Sequence, residues 1–123
     1  MLVRAREGGW LFGGFTAAGF SPPARGYFIA DPSAFLFSLT NSLGRPEKLS
    51  SKGLGEDLCF HPSYSATFGT GNDLLICDNA DTRADSYTHT GHAYAAPTST
   101  GARPMAQGLQ RGWRAADVVA WCV

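Results

Sequence analysis

No stretch of this chain reaches the roughly 18 uninterrupted apolar residues of a membrane-spanning helix. Its first twenty residues carry Arg4, Arg6 and Glu7 and lack the apolar core and small-residue cleavage site of a secretory signal. Neither a membrane span nor secretion is expected, and a cytoplasmic location is. Charge of one sign is missing as well: ten Lys and Arg balance ten Asp and Glu over 123 residues. Without a broad basic field, no nucleic-acid or anionic-lipid partner is expected. Glutamate occurs only at Glu7, Glu47 and Glu56, so no pair of carboxylates stands out for general acid–base work. Three cysteines, Cys59, Cys77 and Cys122, are an odd number that fits no disulfide framework and agrees with a reducing compartment. The chain also lacks an internal repeat, a dividing linker and a convincing amphipathic helix; Met105 to Gln110 offers a turn or two.

What is present points to β structure. The chain is 44% apolar and 12% aromatic, with 15 glycines and 7 prolines, a composition of short strands joined by tight connections. Its length suits one domain, residues 1–123, with one core. The densest run, Ser33 to Leu39, reads as an interior strand with Phe35, Phe37 and Leu39 on one face and Ala34 and Leu36 on the other, both faces covered. Val3 and Ala5 alternate with Arg4 and Arg6 in a first strand. Gly8-Gly9 then closes a hairpin onto a strand from Trp10 to Thr16. Gly13-Gly14 inside that strand predicts a bulge.

Further strands are expected near 58–61, 73–77 and 114–121, with one short strand permitted near Glu47 to Leu49. Residues 17–30 and 63–72 read as loops. The closing stretch puts Trp113, Ala115, Asp117, Val119 and Trp121 on one side of a single strand. The expected architecture is mainly β, a sandwich of two antiparallel sheets, with Phe35, Phe37, Leu75, Val118 and Trp121 substantially buried.

Several constellations bear on chemistry, and each has a plainer reading. Cys59, His61, His89 and His92 could supply a tetrahedral zinc site, but their spacing is not that of a zinc module, and free cysteine is commonly buried. Asp78, Asn79, Asp81 and Asp85 offer hard oxygen ligands. The loop nevertheless lacks the closing Glu and mid-loop Gly of a calcium hand, and Asp and Asn are ordinary turn formers. Cys77 ends an apolar strand, where burial makes a thiol less reactive, so core is the better reading than nucleophile. Gly69-Thr-Gly71 lacks the Lys and following helix of a phosphate loop. No catalytic residue, cofactor or metal is assigned.

Taken in order, these stretches resemble the TLDc domain of the oxidation-resistance protein family. Phe12-Gly13-Gly14-Phe15-Thr16 is similar to the family's glycine-glycine-aromatic strand, and Asp31 to Asn41, with Phe35, Phe37 and Ser38, to its central strand. Ser63 to Gly69, ending in Phe68-Gly69, resembles its tyrosine-containing loop. Gly71 to Ala80, with Asp73, Asp78 and Asn79, resembles the next strand and turn. Tyr87 to Tyr94 keeps the Tyr, Gly and His spacing, and Trp113 to Trp121, with Asp117, resembles the closing strand. Val119 stands where the family usually has a second acid, and the helical leader that precedes the family's first strand has no counterpart before Leu2.

The resemblance implies a β-sandwich with short flanking helices and no established active site. It further implies a non-catalytic interaction module linked to oxidative-stress resistance, with the peripheral part of the vacuolar proton pump as a candidate partner. Loss of a helical leader would leave an apolar face of the sandwich in water, so self-association through that face is expected. Two readings from other classes remain beside this one. One is a redox sensor or enzyme built on Cys59 or Cys77. The other is a carbohydrate- or ligand-binding sandwich with Trp10 or Tyr94 as its platform.

Overall fold

The computed structural model describes residues 1–6, 8–18, 27–41, 43–60, 67–70, 73–96, 105 and 111–120. Eleven strands cross them: β1 (Leu2–Ala5), β2 (Leu11–Phe15), β3 (Tyr27–Ile29), β4 (Phe35–Ser38), β5 (Glu47–Ser50), β6 (Leu58–Phe60), β7 (Thr67–Phe68), β8 (Leu74–Leu75), β9 (Ser86–Thr88), β10 (Arg111–Trp113) and β11 (Ala115–Val119). They form a five-stranded sheet in the order β11-β1-β2-β4-β5 and a six-stranded sheet in the order β10-β9-β8-β7-β6-β3. Every pairing is antiparallel. The molecule is thus the expected two-sheet β-sandwich. The described residues contain no helix, so the short flanking helices implied by the resemblance are not found among them.

The first hairpin forms, but its connection is longer than the expected two residues Gly8-Gly9, since pairing closes between Ala5 and Trp10. Gly8 and Gly9 both take positive φ, +72° and +69°, which only glycine adopts without strain, and the Ala5 amide donates to the Trp10 carbonyl across the turn. No bulge follows at Gly13-Gly14, contrary to the expectation. Gly13 pairs in register with Leu2 and Phe37, and Gly14 with Leu36. The glycines serve close approach instead. A Cβ on Gly13 would collide with the Met1 carbonyl and crowd the Phe37 ring, and one on Gly14 would enter the Phe68 ring of the opposite sheet.

That contact identifies which face of the five-stranded sheet looks inward. Gly14, Leu36 and Leu49 lie in one row, and Val3, Phe12 and Ser38 in the next. Across the gap stand Leu58, Phe68, Leu74 and Trp113, all buried, with the Phe12 and Trp113 rings edge to face at 5.4 Å. The core face of β4 is therefore the one with Ala34, Leu36 and Ser38. Phe35 and Phe37 are only half-buried on the outer face, and the expectation of two covered faces is corrected. The reason is space: the Phe68 ring already fills the room above Gly14, so its neighbour on β4 can be no larger than Leu36. Leu75 is buried, as expected, at 7% exposure.

The closing stretch is two strands rather than one. Trp113 pairs with Ser86 in the six-stranded sheet, whereas Ala115 pairs with Ala5 in the five-stranded one, so the chain changes sheets at Arg114. Arg114 accepts from the Arg6 amide and Ala115 donates to the Ala80 carbonyl, which fixes the crossing. Its consequence is that Trp113 and Ala115 point into the core while Asp117 and Val119 face out. Val118, expected in the core, is 43% exposed, because it lies at the end of the core row on an edge strand. Trp121 lies outside the described residues.

The two stretches read as loops also contain strands, β3 and β7, each anchored on β6. The described residues include no helix long and apolar enough to cross a membrane.

Candidate interaction surface

Side chains alternate across a strand, so the register of the five-stranded sheet gives its outer face directly. One row runs Val119, Leu2, Gly13, Phe37 and Lys48; a second holds Phe15, Phe35 and Ser50; a third holds Asp117, Arg4 and Leu11. Leu39 extends β4 on the same face, its amide bonded to the Leu11 carbonyl at 2.8 Å. Leu39 and Val119 are 44% and 49% exposed, and Leu2, Leu11, Phe15, Phe35 and Phe37 are half-buried. This face carries apolar side chains partly open to solvent, with the exposed Arg4, Asp117 and Lys48 set among them.

Its aromatic part is ordered. Phe15 and Phe35 stack with centroids 5.2 Å apart, Phe37 follows at 6.3 Å from Phe35, and Lys48 Nζ sits 4.3 Å above the Phe35 ring. Between Leu2 and Phe37, Gly13 is covered by the Met1 carbonyl and the Phe37 ring. At the far edge Arg4 and Asp117 form an ion pair at 3.1 Å, each more than half exposed, so it adds little stability. The acid that the resemblance singled out at Asp117 is thus a surface partner of Arg4. Val119, in the place of a second acid, is part of the apolar row.

Several other motif residues hold the fold together. Asp73, fully buried, accepts from the amides of His92, Ala93 and Tyr94 at 3.0, 3.0 and 3.3 Å. Gly69, at φ +79°, lies against that carboxylate, where a Cβ would collide with it, and its amide donates to the Asp57 carbonyl. The Tyr94 hydroxyl donates to the same carbonyl at 2.6 Å. Tyr94 is therefore wholly buried and cannot be a binding platform, and with Asp57 and the other nearby carboxylates its phenol is pushed far above its usual range, burial being the main cause. Ser38 is buried and accepts from the Asn41 amide side chain at 2.9 Å. Asp78 is exposed, and Asn79, at φ 54°, closes the next turn by accepting from the Thr82 and Arg83 amides.

Two buried acids were not singled out from the sequence. Asp31 accepts from the Thr16 and Ser33 hydroxyls at 2.5 Å and from three backbone amides, those of Ala17, Ala18 and Ser33. Burial alone would raise its pKa, but these hydrogen bonds outweigh it and hold the carboxyl at about 2. Asp57 accepts from the Asp31 amide and from the Ser51 hydroxyl. A local sign of Asp31 existed, since Asp-Pro-Ser favours a side-chain bond to the amide two residues on. None existed for Asp57, whose partners are distant in sequence.

As for chemistry, no three His, Cys, Asp or Glu side chains converge on a common point among the described residues. His61 lies outside them. Cys77 is buried and its Sγ accepts from the Ser86 hydroxyl at 3.3 Å, while burial pushes the half-buried Cys59 thiol up. Glu56, Thr70 and His92 make a surface cluster in which the Thr70 hydroxyl donates to Glu56 at 2.6 Å and lies 3.2 Å from His92 Nε2. An open hollow of about 380 Å³ is lined by Ala84, Asp85, Tyr87, Arg111 and Gly112, with the Arg111 guanidinium 5.7 Å from the Tyr87 ring centroid. No family model, curated protein or solved structure matches this chain.

Proposed function

We propose that the chain is a non-catalytic protein-interaction module that binds its partner through the outer face of the five-stranded sheet. The observation that carries this reading is the set of apolar side chains on that face, Leu39 and Val119 exposed and Leu2, Leu11, Phe15, Phe35 and Phe37 half-buried. Apolar surface of this kind on a small domain marks a contact surface, and aromatic residues such as Phe15, Phe35 and Phe37 are enriched in interface cores. The resemblance to TLDc domains supports the same reading. It extends the proposal to the peripheral part of the vacuolar proton pump as partner and to oxidative-stress resistance as setting.

The test is direct binding of the purified full chain to purified peripheral pump sector, measured by biolayer interferometry. Leu39→Lys, at an exposed position on the face, should abolish binding while leaving the thermal melt unchanged. Binding that survives Leu39→Lys would refute the outer face as the contact surface, and no binding by the wild-type chain would refute this partner.

A further inference from the structure

Glu56 precedes β6, Thr70 follows β7 and His92 follows β9, and the antiparallel order of these strands brings all three to one end of the six-stranded sheet. Each is placed by a neighbour anchored in the interior. Asp57, 1% exposed, offers its carbonyl to the Gly69 amide at 2.8 Å, which ties the backbone beside Glu56 to the backbone beside Thr70. The His92 amide donates to the buried Asp73 carboxylate, and Lys52 Nζ donates to the Gly91 carbonyl at 2.6 Å. The three side chains converge on this fixed frame. Glu56 Oε2 lies 3.6 Å from His92 Nε2, and the Thr70 hydroxyl, which donates to Glu56 Oε2 at 2.6 Å, lies 3.2 Å from the same nitrogen.

We propose that Glu56 and His92 form an open binding site for a divalent transition cation of the Zn2+ class. Zinc takes histidine nitrogen at about 2.0–2.1 Å and carboxylate oxygen at about 2.0–2.2 Å. Two donors 3.6 Å apart can both lie about 2.1 Å from one ion, where they subtend an angle of about 120°, close to tetrahedral. The Thr70 oxygen is too near Glu56 Oε2, at 2.6 Å, to occupy a second corner of the same tetrahedron. It is instead the group that orients the carboxylate, as the outer partner of a metal ligand does. His92 and Glu56 are 53% and 44% exposed, so solvent completes the coordination and the site keeps open positions. The donor set decides the class of ion: imidazole nitrogen with one carboxylate suits zinc, copper or nickel, whereas calcium and magnesium take shells of oxygen. His89 is no part of this group, since its Nδ1 faces the Tyr87 hydroxyl at 3.4 Å. The site goes beyond the outer-face reading and lies on the other sheet.

The experiment is calorimetric titration of the full chain with zinc chloride at neutral pH, with thermal melts alongside. One ion per chain is expected, bound in preference to calcium and magnesium. The melting temperature should rise with zinc concentration, because an ion that binds the folded chain alone stabilises it by mass action. His92→Ala and Glu56→Gln should each abolish both the saturable binding and the zinc-dependent rise. Without metal their melts should stay near that of the wild type, since His92 serves the fold through its backbone amide. Thr70→Val should weaken binding by about 10–100-fold, the usual effect of losing a group that orients a ligand. Cobalt(II) in place of zinc should give a visible spectrum without a thiolate charge-transfer band, which separates this pair from Cys59, Cys77 and Cys122 and needs no variant to fold. The absence of saturable zinc binding by the wild-type chain, binding undiminished in His92→Ala or Glu56→Gln, or a thiolate band in the cobalt spectrum would each overturn the proposal, and Thr70→Val binding as tightly as the wild type would overturn the role given to Thr70.

Discussion

Asp73→Ala should be among the most damaging single substitutions in this domain. The carboxylate is fully buried and is the acceptor for three consecutive amides, at 3.0, 3.0 and 3.3 Å. A hydrogen bond to a charged acceptor is worth about 1.5–3 kcal/mol, and a buried donor left without a partner costs about 1–3 kcal/mol. Three such losses do not add in full, since water can enter the space the side chain vacates, so a net cost of about 3–5 kcal/mol is expected. Against a typical total of about 5–15 kcal/mol this removes a large share of the stability.

Urea titration at pH 7 should show a lower midpoint for Asp73→Ala with an unchanged slope. Asp73→Asn should fall between the two proteins, because its amide oxygen still accepts while its NH2 group faces amide donors. A loss below about 1 kcal/mol for Asp73→Ala would show that the segment 92–94 finds other partners, and the account of this site would be wrong.

Three other outcomes follow from the same structure. Leu36→Ala, in the core row, should cost about 2–5 kcal/mol, and Phe37→Ala on the outer face about 1 kcal/mol; the reverse order in denaturant titrations would mean that the inward face has been misidentified. Asp31, whose pKa is lowered from 3.8 to about 2, stabilises the fold by about 2 kcal/mol above the unfolded pKa. That contribution is lost as pH falls from about 4 to about 2, and Asp31→Asn should flatten the acid limb of the stability curve in that window. Cys59 and Cys77 should react slowly with a thiol reagent at neutral pH in a Cys122→Ser background, and stoichiometric labelling of either one within seconds, read by mass spectrometry, would restore the redox-sensor reading.

The fold was legible in the sequence wherever strands were long enough to alternate. Val3 and Ala5 against Arg4, followed by Gly8-Gly9, sufficed for the first hairpin, and Glu47 to Leu49 for β5. Some strands of two or three residues, such as β7 and β9, are shorter than any window in which period two can be recognised, and they form because their neighbours β6, β8 and β10 template them, whereas the equally short β6 and β8 were legible as apolar runs. Side-chain size misled at β4: Phe35 and Phe37 outrank Leu36 in bulk, yet the depth of the core at that point is decided by Phe68, remote in sequence. The resemblance drew attention to Gly69 and Asp73, which the structure brings together. It could not supply Asp57, whose bonds to Asp31, Ser51 and Tyr94 exist only once both sheets have met. The outer face was invisible for a different reason, since Leu2, Phe37 and Val119 become neighbours only through the register of three strands.

That same register shapes how the molecule is made. β1 is held on one side by β2, its partner across a tight turn, and on the other by β11, from the opposite end of the described chain. During synthesis the first hairpin can close within microseconds, but its outer edge then waits for nearly all the remaining residues to emerge, at about 5–20 residues per second. For those seconds Leu2 and Val3 lie along an open, sticky margin. High contact order of this kind slows folding and exposes intermediates to aggregation, so cellular yield should depend on chaperones that shield nascent chains more than on the thermodynamic strength of the finished sandwich.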